Sequence, residues 1–248
     1  MFEKKWQIFI RSFVENEGYK NVLLGFKNTA YIAVFGFLIG ICIGTFVAIV
    51  KVAGKQSKVF KWISKIGDIY VGFFRGTPIV VQLLLLYYVI FPLAGVNIDK
   101  LVVAIVTFGI NSGAYVSEIM RSGILSVDAG QREAGRALGL SYPSTMLRIV
   151  LPQALKNSLP ALGNELIALV KDTSVAGFIA VFDLTQAFKL IGSSSYEFMI
   201  PYLVLALFYL VIVGILTVII KMIERRFAKS DNCLLYTSPS PRDTERSR

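Results

Sequence analysis

Residues 133–152 read EAGRALGLSYPSTMLRIVLP, and the reading of this stretch decides the fold. It lies between hydrophobic segments long enough to cross a bilayer, yet it consists of small, polar and basic residues. Ala, Gln, Arg, Glu and Leu are good helix formers, which predicts a short helix from Ala129 to Leu138. Gly139 then supplies the left-handed stop that ends helices at low cost. Ser141 is placed to cap a second helix, with Pro143 in its first turn, where no backbone donor is missed. The product is a helix, a sharp turn and another helix, held in water at the membrane surface. A piece so built is made to touch a partner.

Composition fixes the surroundings of this elbow. The chain has 248 residues, 55% of them hydrophobic, too apolar for a soluble domain of this size. The net charge of +10 falls in short clusters beside hydrophobic runs. That is the positive-inside pattern of a membrane protein and not a nucleic-acid surface. Histidine, the commonest metal ligand and proton shuttle, is absent. Cys42 lies in a hydrophobic run and Cys233 near the end, so neither a disulfide framework nor a metal cluster is expected. The first twenty residues are charged and lack the apolar core of a cleavable signal peptide.

Glu133-Ala134-Gly135, Gly139, Ile149 and Leu151-Pro152 carry a resemblance. Their spacing is similar to the E-A-A, G, I, L-P signature of the permease subunits of binding-protein-dependent ABC importers. Gly135 stands where the family has its second Ala. The resemblance implies that the loop couples the permease to a cytoplasmic ATPase, whose groove receives its first helix. Glu133, Ala134, Gly135, Leu138 and Gly139 are then the coupling residues. Glu133 would be the polar contact, Ala134 and Gly135 would permit close approach, and Gly139 would set the angle of the turn. Two further stretches, FFRGTP at 73–78 and NSGAYVSEIMRSGI at 111–124, resemble the polar amino acid branch of the same family.

About five spans are expected, each of the roughly twenty residues that a bilayer core of about 30 Å demands. Residues 1–27, with Trp6, Ile8, Phe9, Phe13 and Val14 among charges, are read as an amphipathic interfacial segment. Thr29–Val50 is the first span, and Gly36, Gly40 and Gly44 on one face let a neighbour approach closely. Lys51, Lys55, Lys58, Lys61 and Lys65 then mark the cytoplasmic side. Thr77–Val96 is the second span, with Thr77 as its cap and Pro78 at its first position. Leu101–Ser117 is the third, with Asn111 and Ser112 inside it.

The fourth span is expected to be irregular at Pro152 and Pro160, starting near Leu159 and carrying Glu165, Lys171 and Asp172. Ionisable groups at membrane depth are costly and normally face a partner or a water-filled path. Glu165, Leu169 and Asp172 share a helical face by spacing. Phe182–Glu197 is read as an outside segment with a short surface helix, and Phe198–Ile220 as the fifth span. The C-terminus is then cytoplasmic and the N-terminus outside. Residues 28–228 form the transmembrane domain, and residues 229–248 a disordered, non-native tail.

The fold class expected is thus an all-α membrane protein with a cytoplasmic helix-turn-helix coupling loop, similar to type I ABC importer permeases. Thr77, Gln82, Asn111, Glu165, Lys171 and Asp172 are the substrate-path residues. No phosphate-binding G-x-x-x-x-G-K-[ST] motif occurs, so the chain is not an enzyme and ATP belongs to another polypeptide. The resemblance implies cytoplasmic ATPase subunits, an extracytoplasmic amino-acid-binding protein and a second permease subunit, identical or related, in the bacterial cytoplasmic membrane. The rival reading is a stand-alone ion-coupled carrier or channel using Glu165, Lys171 and Asp172. A membrane-embedded enzyme finds no H-E-x-x-H or G-x-S-x-G motif to support it.

Overall fold

The computed structural model describes residues 2–54 and 58–232, and every regular element among these is helical. Helix α1 (Phe2–Ile10) passes through a π-helical turn at Arg11–Glu15 to α2 (Gly18–Ala53). Next come α3 (Lys58–Gly76) and α4 (Ile79–Leu85), the latter continued by a second π turn at Leu86–Ile90 and a last turn at Phe91–Leu93. Helix α5 (Lys100–Ser126) leads into α6 (Ala129–Ala137) and α7 (Tyr142–Thr145). A third π turn at Met146–Val150 joins α7 without a break to α8 (Leu151–Asp172). A 3₁₀ segment at Thr173–Ile179, then α9 (Leu184–Ser195) and α10 (Met199–Asn232), complete the chain.

Three helices, α2, α5 and α10, are long and apolar enough to cross a membrane. The pair α3–α4 joins them as a broken fourth, bent by 108° between Gly76 and Ile79. Helix α8 is the fifth long segment, and its Lys156, Glu165, Lys171 and Asp172 keep it from being continuously apolar. α2 spans 36 residues, about 54 Å, so it projects well beyond a hydrocarbon core of about 30 Å.

α2 and α5 form the centre. Gly36, Gly40 and Gly44 are buried and face α5, where a Cβ at Gly44 would stand 2.6 Å from Val116 Cγ1. The return contact is similar: a Cβ at Gly109 would meet Ile39 at 2.6 Å, and one at Gly113 would meet Ile43 at 3.1 Å. Three apolar clusters line up along this axis. One gathers Ala48, Val116, Met120, Met146 and Val150 at the elbow end; one gathers Ile32, Leu83, Phe108 and Leu169. The third, at the other end, joins Phe9, Val22, Leu184, Phe188 and Ile200. At the elbow end Lys51 pairs with Asp68 and Glu118, at 2.8 and 2.6 Å, and Glu118 with Arg121.

Several expected boundaries move. Residues 18–27 belong to α2, so the separate helix in the expected N-terminal segment is α1 alone. α5 runs nine residues past Ser117 and carries Glu118 and Arg121 within it. The second span is the far arm of a bent pair: Pro78, extended at ψ 138°, caps α4, and the Thr77 hydroxyl turns back to the Phe73 carbonyl at 2.8 Å. The residue before a proline is pushed away from helical backbone, which breaks the chain at Thr77. The fourth span is continuous where a break was expected: the π turn at Met146–Val150 lies directly before Pro152, and Pro160 is accommodated inside α8. The segment at 182–197 is no surface helix: Leu184, Ala187, Phe188, Ile191 and Gly192 are buried. α10 continues through Asn232, so residues 229–232 are helical, while Lys55, Cys233 and the rest of the expected tail lie outside the described residues.

The seam makes a sharp prediction. Gly44→Leu should force α2 from α5, destabilising the protein by about 1–3 kcal/mol or more, whereas Gly72→Ala, with open space around it, should be neutral or slightly stabilising. Thermal unfolding of the two variants in detergent measures the difference, and equal midpoints would remove the seam from this role.

Candidate functional site

The elbow is assembled from local rules. Asp128 caps α6, its carboxylate accepting from the Gly130 N–H at 2.7 Å. At the other end Leu140 N–H reaches the Gly135 carbonyl at 3.0 Å and Gly139 N–H the Arg136 carbonyl at 2.9 Å. These two bonds form a Schellman closure, with Gly139 left-handed at φ +75°. Ser141 is the N-cap of α7 through its backbone, its carbonyl accepting from Thr145 N–H; its hydroxyl makes no cap bond.

Of the five predicted coupling residues, Glu133, Ala134, Leu138 and Gly139 are exposed, with Leu138 79% accessible. Gly135 is different. It is buried against α7, where a Cβ would lie 2.7 Å from Thr145 Cγ2 and 3.3 Å from Ile149 Cδ1. The close approach it permits is within the elbow itself and not toward a docked partner.

The predicted path residues separate into three groups. Thr77, Asn111, Glu165 and Asp172 line one cavity of about 490 Å³ beside the α3–α4 bend, together with Arg75, Tyr115 and Ala168. Ser112 Oγ donates to Glu165 Oε1 at 2.8 Å, and the Arg75 guanidinium lies 5.3 Å from the centre of the Tyr115 ring. Gln82 is almost fully buried and occupied structurally: its Nε2 reaches the Phe74 and Thr77 carbonyls at 2.9 Å and the Thr77 hydroxyl at 2.8 Å. Asn111 Nδ2 donates to Gln82 Oε1 at 2.9 Å, so Gln82 and Asn111 together fasten the bend to α5. Lys171 is exposed and does not line the cavity. Leu169 is buried in the core, and the cavity face of α8 is Glu165, Ala168 and Asp172.

Arg75 and Tyr115 escaped the reading of the sequence. Arg75 carried a usable signal, since a cation two residues before Thr77-Pro78 sits at a break in an apolar region. Tyr115 carried none.

With this geometry in hand, the comparisons with known proteins align with it. Residues 30–229 match the family described as binding-protein-dependent transport system inner membrane component. The chain is 39% identical over 210 residues to the arginine transport system permease protein ArtQ of Bacillus subtilis (strain 168), covering 85% of this chain and 94% of that protein. It is 38% identical over 205 residues to the glutamine transport system permease protein GlnP of Escherichia coli (strain K12), covering 82% and 90%. Its structure superposes on a chain of an amino acid ABC transporter crystallised with histidines at a TM-score of 0.75 and 34% identity, covering 86% and 97%.

The buried glycine of the elbow is testable. Gly135→Ala should destabilise by about 1–3 kcal/mol through its clash with the Thr145 methyl. Adding Thr145→Ala, which removes both the methyl at 2.7 Å and the hydroxyl at 2.9 Å, should recover most of the loss. Purely additive thermal shifts in this double-mutant cycle would show that the two residues are not in contact.

Proposed function

The chain belongs to the family of inner membrane components of binding-protein-dependent transport systems, as a permease subunit, and on that premise we propose that its cargo is a cationic or polar amino acid. One observation carries the coupling of elbow to cavity: the same continuous helix adjoins the elbow at one end and bears the cavity's two carboxylates toward the other. From Tyr142 to Asp172 the chain is helical throughout, about 46 Å long. Movement passed through the Gly139 turn to Tyr142 therefore reaches Glu165 and Asp172 along one continuous helix.

The cavity's charges support the choice of cargo. Arg75 offers a bidentate partner for an α-carboxylate. Glu165 and Asp172 face an α-ammonium and a second positive group. An amino acid with a basic side chain matches all three, as the arginine permease and histidine-bound transporter among the relatives would suggest. Gln82 and Asn111 contribute by holding the cavity's shape.

The energy comes from elsewhere. In this reading two cytoplasmic ATPase subunits bind and hydrolyse ATP, and this chain holds no nucleotide or metal. They grip the exposed face of α6 at Glu133, Ala134 and Leu138, and their closure tilts the rod between two packings of the bundle. An extracytoplasmic binding protein delivers the amino acid, a second permease subunit completes the path, and the assembly sits in the bacterial cytoplasmic membrane.

Two variants test the reading in proteoliposomes loaded with ATPase and binding protein. Gly139→Val, forced into a backbone that costs an L-residue about 1–2 kcal/mol, should reach the membrane but lose ATP-driven uptake. Glu165→Gln should raise the KM for a basic amino acid by roughly tenfold or more while leaving a neutral one less affected. Uptake by the wild-type chain without any ATPase would instead establish the carrier reading.

A further inference from the structure

The concave side of the elbow holds a second site, about 670 Å³ in volume. One wall is the side of α6 on which Ala129, Arg132, Glu133 and Arg136 recur at helical spacing. The floor is Thr145, Met146 and Val150, all buried, and Leu140 and Tyr142 close the side. Four hydrogen-bonding groups along this groove are unspent. Arg132 and Arg136 make no ion pair among the described residues. Tyr142 Oη and Thr145 Oγ1 are shielded from solvent and have no hydrogen-bond partner among the described residues, and Thr145 is only 3% exposed.

Buried hydroxyls without partners are uncommon and costly, and a pair of them beside two free guanidinium groups is a donor set lacking its acceptor. Burial raises the Tyr142 pKa above its ordinary value, with Arg132 partly offsetting this, so the phenol remains a donor at neutral pH. Glu133 shares the wall, which leaves the groove with a single net positive charge. A monoanion neutralises that charge, and a carboxylate matches the planar fork of a guanidinium group.

We propose that this groove is a socket for a carboxylate side chain of the docking ATPase, held in a fork by Arg132 and Arg136 and completed by the hydroxyls of Tyr142 and Thr145. The inference rests on the reading of the elbow as the ATPase dock, and adds that docking is reciprocal: the elbow enters the partner's groove while the partner's acid enters the elbow. Charge-assisted bonds of this kind are about twice as strong as neutral ones, and the fork fixes orientation as well as affinity.

The test measures binding of the purified ATPase subunit of the same transporter to the chain in detergent, alongside its thermal midpoint. Tyr142→Phe should keep the midpoint and weaken binding roughly tenfold, because the lost hydroxyl bonds nothing in the free subunit. Arg136→Glu, at an exposed position where folding is not at risk, should weaken it further. Replacing one acidic residue of the ATPase docking face by Arg should restore binding to Arg136→Glu alone. Wild-type binding by both Tyr142→Phe and Arg136→Glu would overturn the socket while leaving the dock intact. A wild-type chain that binds no ATPase would remove the dock and the socket together.

Discussion

Glycine allows α2 and α5 to meet backbone to backbone, and most of the molecule is positioned from that contact. Apolar helices have little hydrophobic reason to associate within lipid, so close packing must supply the attraction. Here the packing is reciprocal, with Val116 lodged over Gly44 and with Ile39 and Ile43 over Gly109 and Gly113. The seam fixes α5 in both depth and rotation. That in turn presents Asn111 and Ser112 toward the bend and toward α8.

From this axis the rest follows in two directions. Toward the bend, Asn111 and Gln82 satisfy carbonyls that a 108° break would otherwise leave open, and so make a cavity out of a discontinuity. Toward α8, Ser112 holds the half-buried Glu165, two turns from the end of a rod whose other end emerges as the elbow. α10 is held more loosely. It is apolar along most of its length and little of it is buried; its fixed points include Ile200 in the third cluster, the Phe208 ring 5.5 Å from that of Phe188, and Ile220 against Gly163.

The elbow was legible in the sequence because every rule that shapes it is local. Its helix formers, the Gly139 stop and Pro143 in a first turn act within a few residues of each other. The cavity was half legible: Glu165 and Asp172 were conspicuous as charges, and Asn111 as a polar residue in a span. What could not be read was tertiary. Gln82 looked like a path residue, yet its amide is committed to the bend; Gly135 looked like part of a docking face, yet Thr145 covers it. Pro160 looked like a break because its cost is local, yet α8 continues through it to Asp172.

A stiff rod has no preferred direction of transmission. In the proposed cycle, whatever the elbow imposes on Glu165 and Asp172, a ligand bound beside them would impose on the elbow with equal thermodynamic weight. The helix from Tyr142 to Asp172 is therefore a gauge as well as a lever. An occupied or jammed passage would register at the nucleotide-consuming side as back-pressure, with no dedicated sensor domain required.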